Sequence, residues 1–261
     1  MAITAADVKA LRDTTGAGMM DAKKALTEAD GDFDAAKQLL LEKGLIKAAG
    51  RSDRENNQGA IAMASSGQAA AFVQLKCETD FSAKADDFTE LVQSLADAVL
   101  ADGEGAIDGF AEKIDALKLS KKENVEVGKV AHFQAADGNV LDSYLHTQDG
   151  RGINAVLVEA SGVDAELAHE ISLHIAFAKP AGLAREEISD EEVDKARKSL
   201  EDLTRSEGKP EPAIAKIVEG RLGKWYGERV LLEQGMFGEK ETVQDRIGDG
   251  SIVRFAQAVV G

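Results

Sequence analysis

Aromatic residues, proline and cysteine are scarce in this chain of 261 residues. Phe, Tyr and Trp together make up 5% of the sequence, and there are three prolines and a single cysteine, Cys77. One cysteine cannot form an internal disulfide, and the first residues are polar rather than an apolar secretion signal, so we expect a protein of the reducing cytoplasm. With so few aromatic side chains, the core should consist of small and aliphatic residues, and an exposed Phe would be unusual.

Long apolar runs and an excess of positive charge are also lacking. No run approaches the roughly 20 apolar residues that span a bilayer, so no membrane association is expected. The 47 acidic residues outnumber the 31 basic ones, which gives a formal net charge of −16. Because such a charge repels phosphate backbones, we expect no direct binding of nucleic acid. The expected partner is a protein.

The motifs of nucleotide, metal and covalent chemistry are missing as well. There is no Gly-x-x-x-x-Gly-Lys-Ser/Thr loop, and Gly16-Ala17-Gly18 lacks the spacing of a dinucleotide-binding loop. His169 and His174 are five residues apart, on different faces of a helix, which is not metal-ligand spacing. Cys77 has no histidine near it in the sequence, so an inert thiol is the simpler interpretation. We therefore expect no cofactor, no metal and no catalytic residue.

Residues 1–54 are predicted to be a three-helix domain followed by a linker. Thr4 and Asp7 have the spacing of a capping box at the start of the first helix. Asp30-Gly31 closes the second helix, and Asp32 is an N-cap for the third. The segment 51–58 contains no apolar residue, so it should be a solvated boundary.

Residues 55–124 are predicted to be the first half of an α+β core with antiparallel strands. Strand patterns lie on both sides of Ser65-Ser66-Gly67, which predicts a β-hairpin. Residues 77–84 interrupt regular structure, and a helix with apolar spacing begins at Asp86. This half therefore reads as a hairpin followed by a helix.

Residues 125–180 are predicted to be the second half of the core, in which the same order recurs. Asp137-Gly138-Asn139 is predicted to be a hairpin turn between strands, and Lys179-Pro180 ends the helix that follows. Residues 226–261 should complete this half, with residues 252–255 adding an edge strand. The two halves resemble each other enough to indicate a structural duplication.

Residues 181–225 are predicted to be an inserted, antiparallel helical hairpin. Ser189 and Glu192 have capping-box spacing, and residues 208–212 contain the glycine and prolines that force a reversal. The apolar residues that follow Ser189 at spacings of three and four, typical of a coiled-coil seam, are Val193, Ala196, Leu200 and Leu203. This seam would also allow two copies of the chain to pair as a homodimer through the hairpin.

Two segments have no simple structural explanation. They are residues 14–26, Thr-Thr-Gly-Ala-Gly-Met-Met-Asp-Ala-Lys-Lys-Ala-Leu, and residues 77–84, Cys-Glu-Thr-Asp-Phe-Ser-Ala-Lys. Both are very similar to the signature segments of bacterial elongation factor Ts, and the resemblance continues through residues 174–180, 207–210 and 218–221. Several ordered motifs are more specific than any single one, so the sequence is identified as a member of this family.

The resemblance implies both a fold and a function. The first domain would be similar to the ubiquitin-associated three-helix fold, followed by the duplicated α+β core and the inserted hairpin. Members of the family bind EF-Tu in its GDP-bound and nucleotide-free forms and promote release of GDP by distorting its phosphate and magnesium site. The emptied factor can then be loaded with GTP, and no covalent chemistry or cofactor is involved.

The same resemblance implies the residues that would contact EF-Tu. The counterparts of Asp80 and Phe81 reach the G domain near its Mg²⁺ site, where the ring enters an apolar slot. Positions on the first domain touch the G domain, and a histidine of the second core half reaches another part of EF-Tu. The predicted binding residues are Arg12, Met19, Met20, Lys23, Thr79, Asp80, Phe81 and His146.

The residues alone leave alternatives open. Phe81 fits equally well as an anchor of its loop to its own core, and one methionine of Met19-Met20 can be buried with the other at the helix start. At the level of function, the rivals are a ubiquitin-associated-type interaction module that exchanges nothing and an acid–base enzyme built on the carboxylate-rich surface. The enzyme has no converging histidine, metal or glycine loop to support it, and residues 78–84 separate an exchange factor from the module.

The chain departs from the family pattern at a few positions. Ser82 stands where the family usually has Val, which predicts looser packing behind Phe81. Lys121-Lys122 replaces a common apolar-glycine pair, and Ala22 replaces a frequent Cys. The sequence stops soon after Val260, so contacts made by the extra C-terminal helix of some members are not expected.

Overall fold

The computed structural model describes residues 3–15, 17–51 and 53–261. Gly16 of the first signature segment and Ser52 of the predicted linker lie outside these ranges. The described chain is a mixed α+β structure with an antiparallel sheet, which confirms the predicted fold class.

Three helices come first, as predicted. They are α1 (Ala5–Thr15), α2 (Met19–Glu28) and α3 (Phe33–Ala49). The capping box of α1 is confirmed, because the N–H of Asp7 donates to Oγ1 of Thr4 and the N–H of Thr4 donates to the Asp7 carboxylate. Small and aliphatic side chains fill the space between the helices, and the likeness to the ubiquitin-associated fold stays a prediction. The buried residues of this cluster are Val8, Leu11, Ala22, Ala25, Leu26 and Ala36.

Six strands form the sheet. They are β1 (Gln58–Ser66), β2 (Ala69–Cys77), β3 (Glu126–Gln134), β4 (Val140–Gln148), β5 (Arg151–Ser161) and β6 (Ser251–Val259). Their order is β3-β2-β1-β5-β4, with β6 also paired to β5. The predicted edge strand near the end of the chain is therefore confirmed.

Two three-stranded parts of the sheet meet between β1 and β5. The pairing there is Ile61 with Gly152. A Cβ built on Gly152 would lie 2.2 Å from the carbonyl oxygen of Ile61, so a larger residue would push the strands apart. Glycine is what allows the two parts to form one sheet.

The turn at residues 137–139 does not close a hairpin, so that prediction is wrong. β3 pairs with β2 and β4 pairs with β5, which places the two strands next to the turn at opposite ends of the β3-β2-β1-β5-β4 order. Turn residues predict where the chain reverses, but strand pairing depends on which apolar faces meet.

A helix follows each of the two hairpins and packs on the sheet. Helix α5 (Asp86–Asp102) covers β1 and β2. Helix α7 (Ala165–Ala178) covers β4 and β5, with Ile171 and Ile175 fully buried. The order hairpin then helix thus occurs twice, and the domain boundaries given above stay a prediction.

Shorter elements connect these units. A four-residue helix, α4 (Asp80–Ala83), lies between β2 and α5, where residues 77–84 were predicted to lack regular structure. Helix α6 (Ala111–Lys121) precedes β3, and α10 (Val243–Ile247) precedes β6. Short 3-10 helices occupy the remaining connections, at Glu104–Phe110, Arg185–Glu187, Leu231–Glu233 and Met236–Gly238.

Two helices, α8 (Asp190–Ser206) and α9 (Glu211–Gly227), fill the predicted insertion. The Arg221 guanidinium donates to Oγ1 of Thr204 at 3.2 Å, which joins them. The predicted seam is wrong at Leu203, which is 49% exposed, whereas the neighbouring Thr204 is fully buried. Within the described ranges, no helix has both the length and the apolar character required to cross a bilayer.

Candidate functional site

The segment after β2 forms a single helical turn that exposes one aromatic ring. The hydroxyl of Thr79 accepts from the N–H of Ser82 at 3.2 Å and so caps α4. Ser82 and Ala83 are buried, whereas the Phe81 side chain is 84% exposed. Phe81 therefore does not anchor this loop to its own core, which removes that alternative.

The carboxylate of Glu123, which lies between α6 and β3 and is distant in the sequence, accepts hydrogen bonds from this turn. Its Oε1 accepts from the hydroxyls of Thr79 at 2.8 Å and Ser82 at 2.6 Å. Its Oε2 accepts from the backbone N–H groups of Glu78 at 3.0 Å and Thr79 at 3.1 Å. The Glu123 carboxylate thus accepts four hydrogen bonds, from two backbone N–H groups and two hydroxyls of residues 78–82. No sequence motif had marked Glu123 as part of the site.

These bonds change the acidity of Glu123. Its partial burial acts to raise its pKa, but the hydrogen bonds from Ser82, Thr79 and Glu78 act against that and together hold the pKa below its usual value. The side chain is therefore an anion that accepts bonds from neutral donors, an arrangement stronger than a neutral pair.

The hydrogen bonds between residues 78–82 and residues 123–124 run in both directions. While Glu123 accepts from the N–H of Glu78, the Glu78 carboxylate accepts from the N–H of Asn124 at 2.7 Å. The side-chain amide of Asn124 also donates to the carbonyl of Arg54 at 2.9 Å. Three parts of the chain are joined in this way behind α4.

The looser packing behind Phe81 that Ser82 was predicted to cause is not observed. It is 4% exposed and its hydroxyl donates to Glu123, a bond that Val cannot make. The departure from the family pattern therefore adds a polar tether behind Phe81.

Lys84 joins α4 to the turn between β4 and β5. Its Nζ lies 2.8 Å from the Asp80 carboxylate and 3.1 Å from that of Asp149. The hydrogen bond and charge of Lys84 lower the pKa of Asp80. A cavity of about 460 Å³ lies beside this bridge, with Arg151 also in its wall. Asp80, predicted to face the partner, is thus held on one side by its own chain.

Both methionines of the first signature segment are exposed. Met19 is 46% and Met20 is 75% exposed at the start of α2, while Ala22, Ala25 and Leu26 are the buried positions of that helix. The alternative in which one methionine is buried is therefore wrong. Arg12 and Lys23 are exposed as well. All four predicted residues of the first domain are therefore accessible, Arg12 on α1 and the others on α2.

His146 is exposed on β4, three residues before Asp149 of the turn that Lys84 contacts. Its Nδ1 lies 3.3 Å from the hydroxyl of Tyr144, and the two rings stack with centroids 6.4 Å apart. His146 is thus exposed near the end of the strand that leads into the turn containing Asp149.

Cys77 lies beside this site and is unsuited to react. Its thiol is buried and donates to the carbonyl of Thr79 at 3.2 Å. Burial and the nearby charge of Glu123 raise its pKa to about 12, so it stays a thiol. In the part of the chain that the structure describes, no three His, Cys, Asp or Glu side chains are arranged to hold a metal ion.

Comparisons with known proteins give consistent results. The family model described as Elongation factor TS matches residues 78–261. A protein of Cutibacterium acnes named Elongation factor Ts is 44% identical over 257 residues, which cover 93% of this chain and 92% of that protein. A protein of Nocardioides sp. with the same name is 41% identical and covers 99% of this chain and 98% of its own length. A third, from Deinococcus deserti, is 36% identical over 97% of this chain and 98% of its own.

Proposed function

This chain belongs to the elongation factor Ts family of translation elongation factors, and on that premise we propose that it binds EF-Tu and promotes release of GDP. It acts by distorting the phosphate and magnesium site of EF-Tu, and the emptied factor then takes up GTP. The chain contributes binding energy alone and performs no covalent chemistry.

The observation that supports this proposal best is the exposed ring of Phe81. Burial of an exposed phenyl ring in a partner contributes about 1.5 to 3 kcal/mol of favourable free energy. The turn that carries the ring is capped by Thr79 and tied to Glu123, so the ring stands on a fixed support. Such a ring suits insertion into an apolar slot of another protein.

The energetic argument depends on how EF-Tu holds GDP. Backbone N–H groups that cradle phosphates and a Mg²⁺ with strict octahedral geometry tolerate only small displacements. Burial of Phe81 supplies enough free energy to offset part of the cost of moving such groups. We therefore assign Phe81 as the wedge, with Asp80 orienting polar groups next to it.

The remaining exposed residues would hold the chain on EF-Tu. Met19 and Met20 provide an apolar and adaptable surface at the start of α2, Lys23 follows one turn later, and Arg12 is exposed on α1. His146 would contact a separate region of EF-Tu from the β4 edge. These residues would supply affinity, whereas Phe81 would supply the distortion.

The test is the release of a fluorescent GDP from EF-Tu. We expect this chain to accelerate release and Phe81→Ala to slow it by about tenfold or more, the factor that corresponds to roughly 1.4 kcal/mol of lost burial. Because Phe81 is exposed, the free energy of unfolding should stay within about 0.5 kcal/mol of the wild type.

Phe177 offers a control, since it is an exposed phenylalanine on α7 that lies within residues 174–180 but is not among the residues predicted to contact EF-Tu. Phe177→Ala should leave exchange close to the wild-type rate. An unchanged rate in Phe81→Ala would refute the wedge, and a wild-type chain that binds EF-Tu without releasing GDP would favour the interaction module instead.

A further inference from the structure

We propose that Glu123 is a positioning residue for nucleotide exchange, because its carboxylate ties the α4 turn at four points and so sets the direction in which Phe81 is presented. The inference rests on the proposed function and adds to it a residue that does not touch the partner. Glu123 would act through the α4 turn, and chiefly through the direction of Phe81.

The α4 turn cannot hold its own orientation. A helix of four residues is far shorter than the roughly 12 to 15 needed for stability on its own. Its largest side chain, Phe81, is exposed and contributes no burial. Apart from the packing of Ala83 in the core, the turn must be oriented by its polar contacts.

Glu123 supplies four of those contacts, in addition to the ion pair between Lys84 and Asp80. The N–H groups of Glu78 and Thr79 fix where the chain enters α4, and the hydroxyls of Thr79 and Ser82 fix the cap and the third residue. Bonds at two levels of one turn prevent it from rotating about either end. Phe81 lies between these two levels, so its direction is set by them.

Glu123 is itself held in place. It follows α6, which packs on the core through Ile114 and Leu117, and the next residue, Asn124, is buried. Its charge also opposes a change of position, since moving a half-buried anion away from four donors would leave those donors unpaired. The support is therefore stiffer than the turn it holds.

A comparable carboxylate elsewhere in the fold separates positioning from general stability. Glu159 on β5 is buried and accepts from the N–H of Ala136 at 2.9 Å, from Nδ2 of Asn139 at 2.8 Å and from Nε of Arg254 at 2.7 Å. These partners lie on the loop after β3 and on β6. Glu159→Gln should therefore lower stability without changing exchange.

The experiment is a double-mutant cycle on the exchange rate. The maximal rate of fluorescent GDP release and the half-saturating chain concentration are measured for wild type, Glu123→Gln, Phe81→Ala, the double variant and Glu159→Gln. We expect Glu123→Gln to lower the maximal rate by about 5- to 30-fold with a small change in half-saturating concentration. In the Phe81→Ala background the same substitution should have little further effect, because the ring it positions is gone.

Several results would overturn the inference. If Glu123→Gln keeps the wild-type rate, or if its loss simply adds to that of Phe81→Ala, Glu123 does not act through Phe81. An equal loss in Glu159→Gln would show that exchange merely follows stability. If wild type releases no GDP, the proposed function itself is wrong and this inference falls with it.

A milder variant keeps the test valid if Glu123→Gln does not fold. Ser82→Ala removes one of the four bonds and leaves the carboxylate in place. Its rate should fall less than that of Glu123→Gln, and again only when Phe81 is present. Ser82→Ala that folds and exchanges like wild type in both backgrounds would contradict the proposed tether.

Discussion

At the scale of single residues, His174 is a buried histidine whose two ring nitrogens both have partners. Its Nδ1 lies 3.1 Å from the backbone N–H of Phe237, which can only donate, so Nδ1 must be unprotonated. Nε2 therefore carries the proton and donates to Oε1 of Gln234 at 3.1 Å. Burial lowers the pKa of His174, with the Gln234 bond acting in the opposite direction. The folded chain thus favours the neutral ring.

We expect this histidine to make the folded chain sensitive to mild acid. Below about pH 6.5, the ordinary pKa of histidine, the unfolded chain takes up a proton that the folded chain does not, so the free energy of unfolding falls. The loss from one group is at most about 1.4 kcal/mol per pH unit and ends at the lowered pKa of the folded form. Urea unfolding between about pH 7.5 and about pH 5.5 measures it.

Two variants identify the group responsible. His174→Gln should flatten the dependence in this pH range, because glutamine has no proton to gain. Ser172→Ala, a change at a buried position of the same helix that removes no titratable group, should keep the wild-type dependence. Equal slopes in wild type and His174→Gln would show that another group is responsible.

At the scale of elements, the end of α6 is strained. Lys122 caps this helix with φ at 57°, in the left-handed region, while its N–H donates to the carbonyl of Lys118. That conformation costs a residue with a Cβ about 1 to 2 kcal/mol and costs glycine almost nothing. A glycine at this position would adopt the same conformation without that cost.

We expect Lys122→Gly to raise the free energy of unfolding by about 0.5 to 1 kcal/mol. The gain is smaller than the strain because glycine also has more freedom in the unfolded chain. Urea unfolding provides the measurement. Ala116→Gly, within the same helix, is the control and should lower stability by about 1 kcal/mol. A loss of similar size in both variants would mean that Lys122 is not strained.

Elements with local signals were predictable, and those that depend on distant contacts were not. Capping residues marked α1 and α3, and Lys179-Pro180 marked the end of α7, because these signals lie in adjacent residues. The α4 turn was missed since a four-residue helix has no periodicity. Leu203 was wrongly placed in a seam, because the approach of Arg221 to Thr204 decides which side of α8 is covered.

At the scale of the whole molecule, the same distinction applies to the candidate site. The exposed residues were named from the resemblance to the family, and most of them, including both methionines and Phe81, lie in the signature segments. The residues that hold α4 in place were not predicted, because Glu123 and Thr79 are 44 residues apart and Lys84 and Asp149 belong to different parts of the core. Their proximity follows from strand pairing across the sheet, which no local pattern contains.

The proposed function also carries a thermodynamic requirement for the complex as a whole. A partner can shift the nucleotide site of EF-Tu only by binding its two states with different affinity. The factor by which this chain weakens GDP must therefore equal the factor by which GDP weakens this chain. Couplings of this kind commonly lie at about 5- to 150-fold.

We expect Phe81→Ala and Met20→Ala to affect this coupling differently. If Phe81 is the wedge, its loss should reduce the coupling factor, because the ring is buried only when the nucleotide site is displaced. Met20→Ala should weaken binding to the GDP-bound and nucleotide-free forms equally and leave the factor unchanged. Calorimetric titration of both forms of EF-Tu with wild type and with each variant gives the six dissociation constants needed. If Phe81→Ala weakened both forms equally, Phe81 would be a contact like Met20, and the distortion would have to come from another part of the interface.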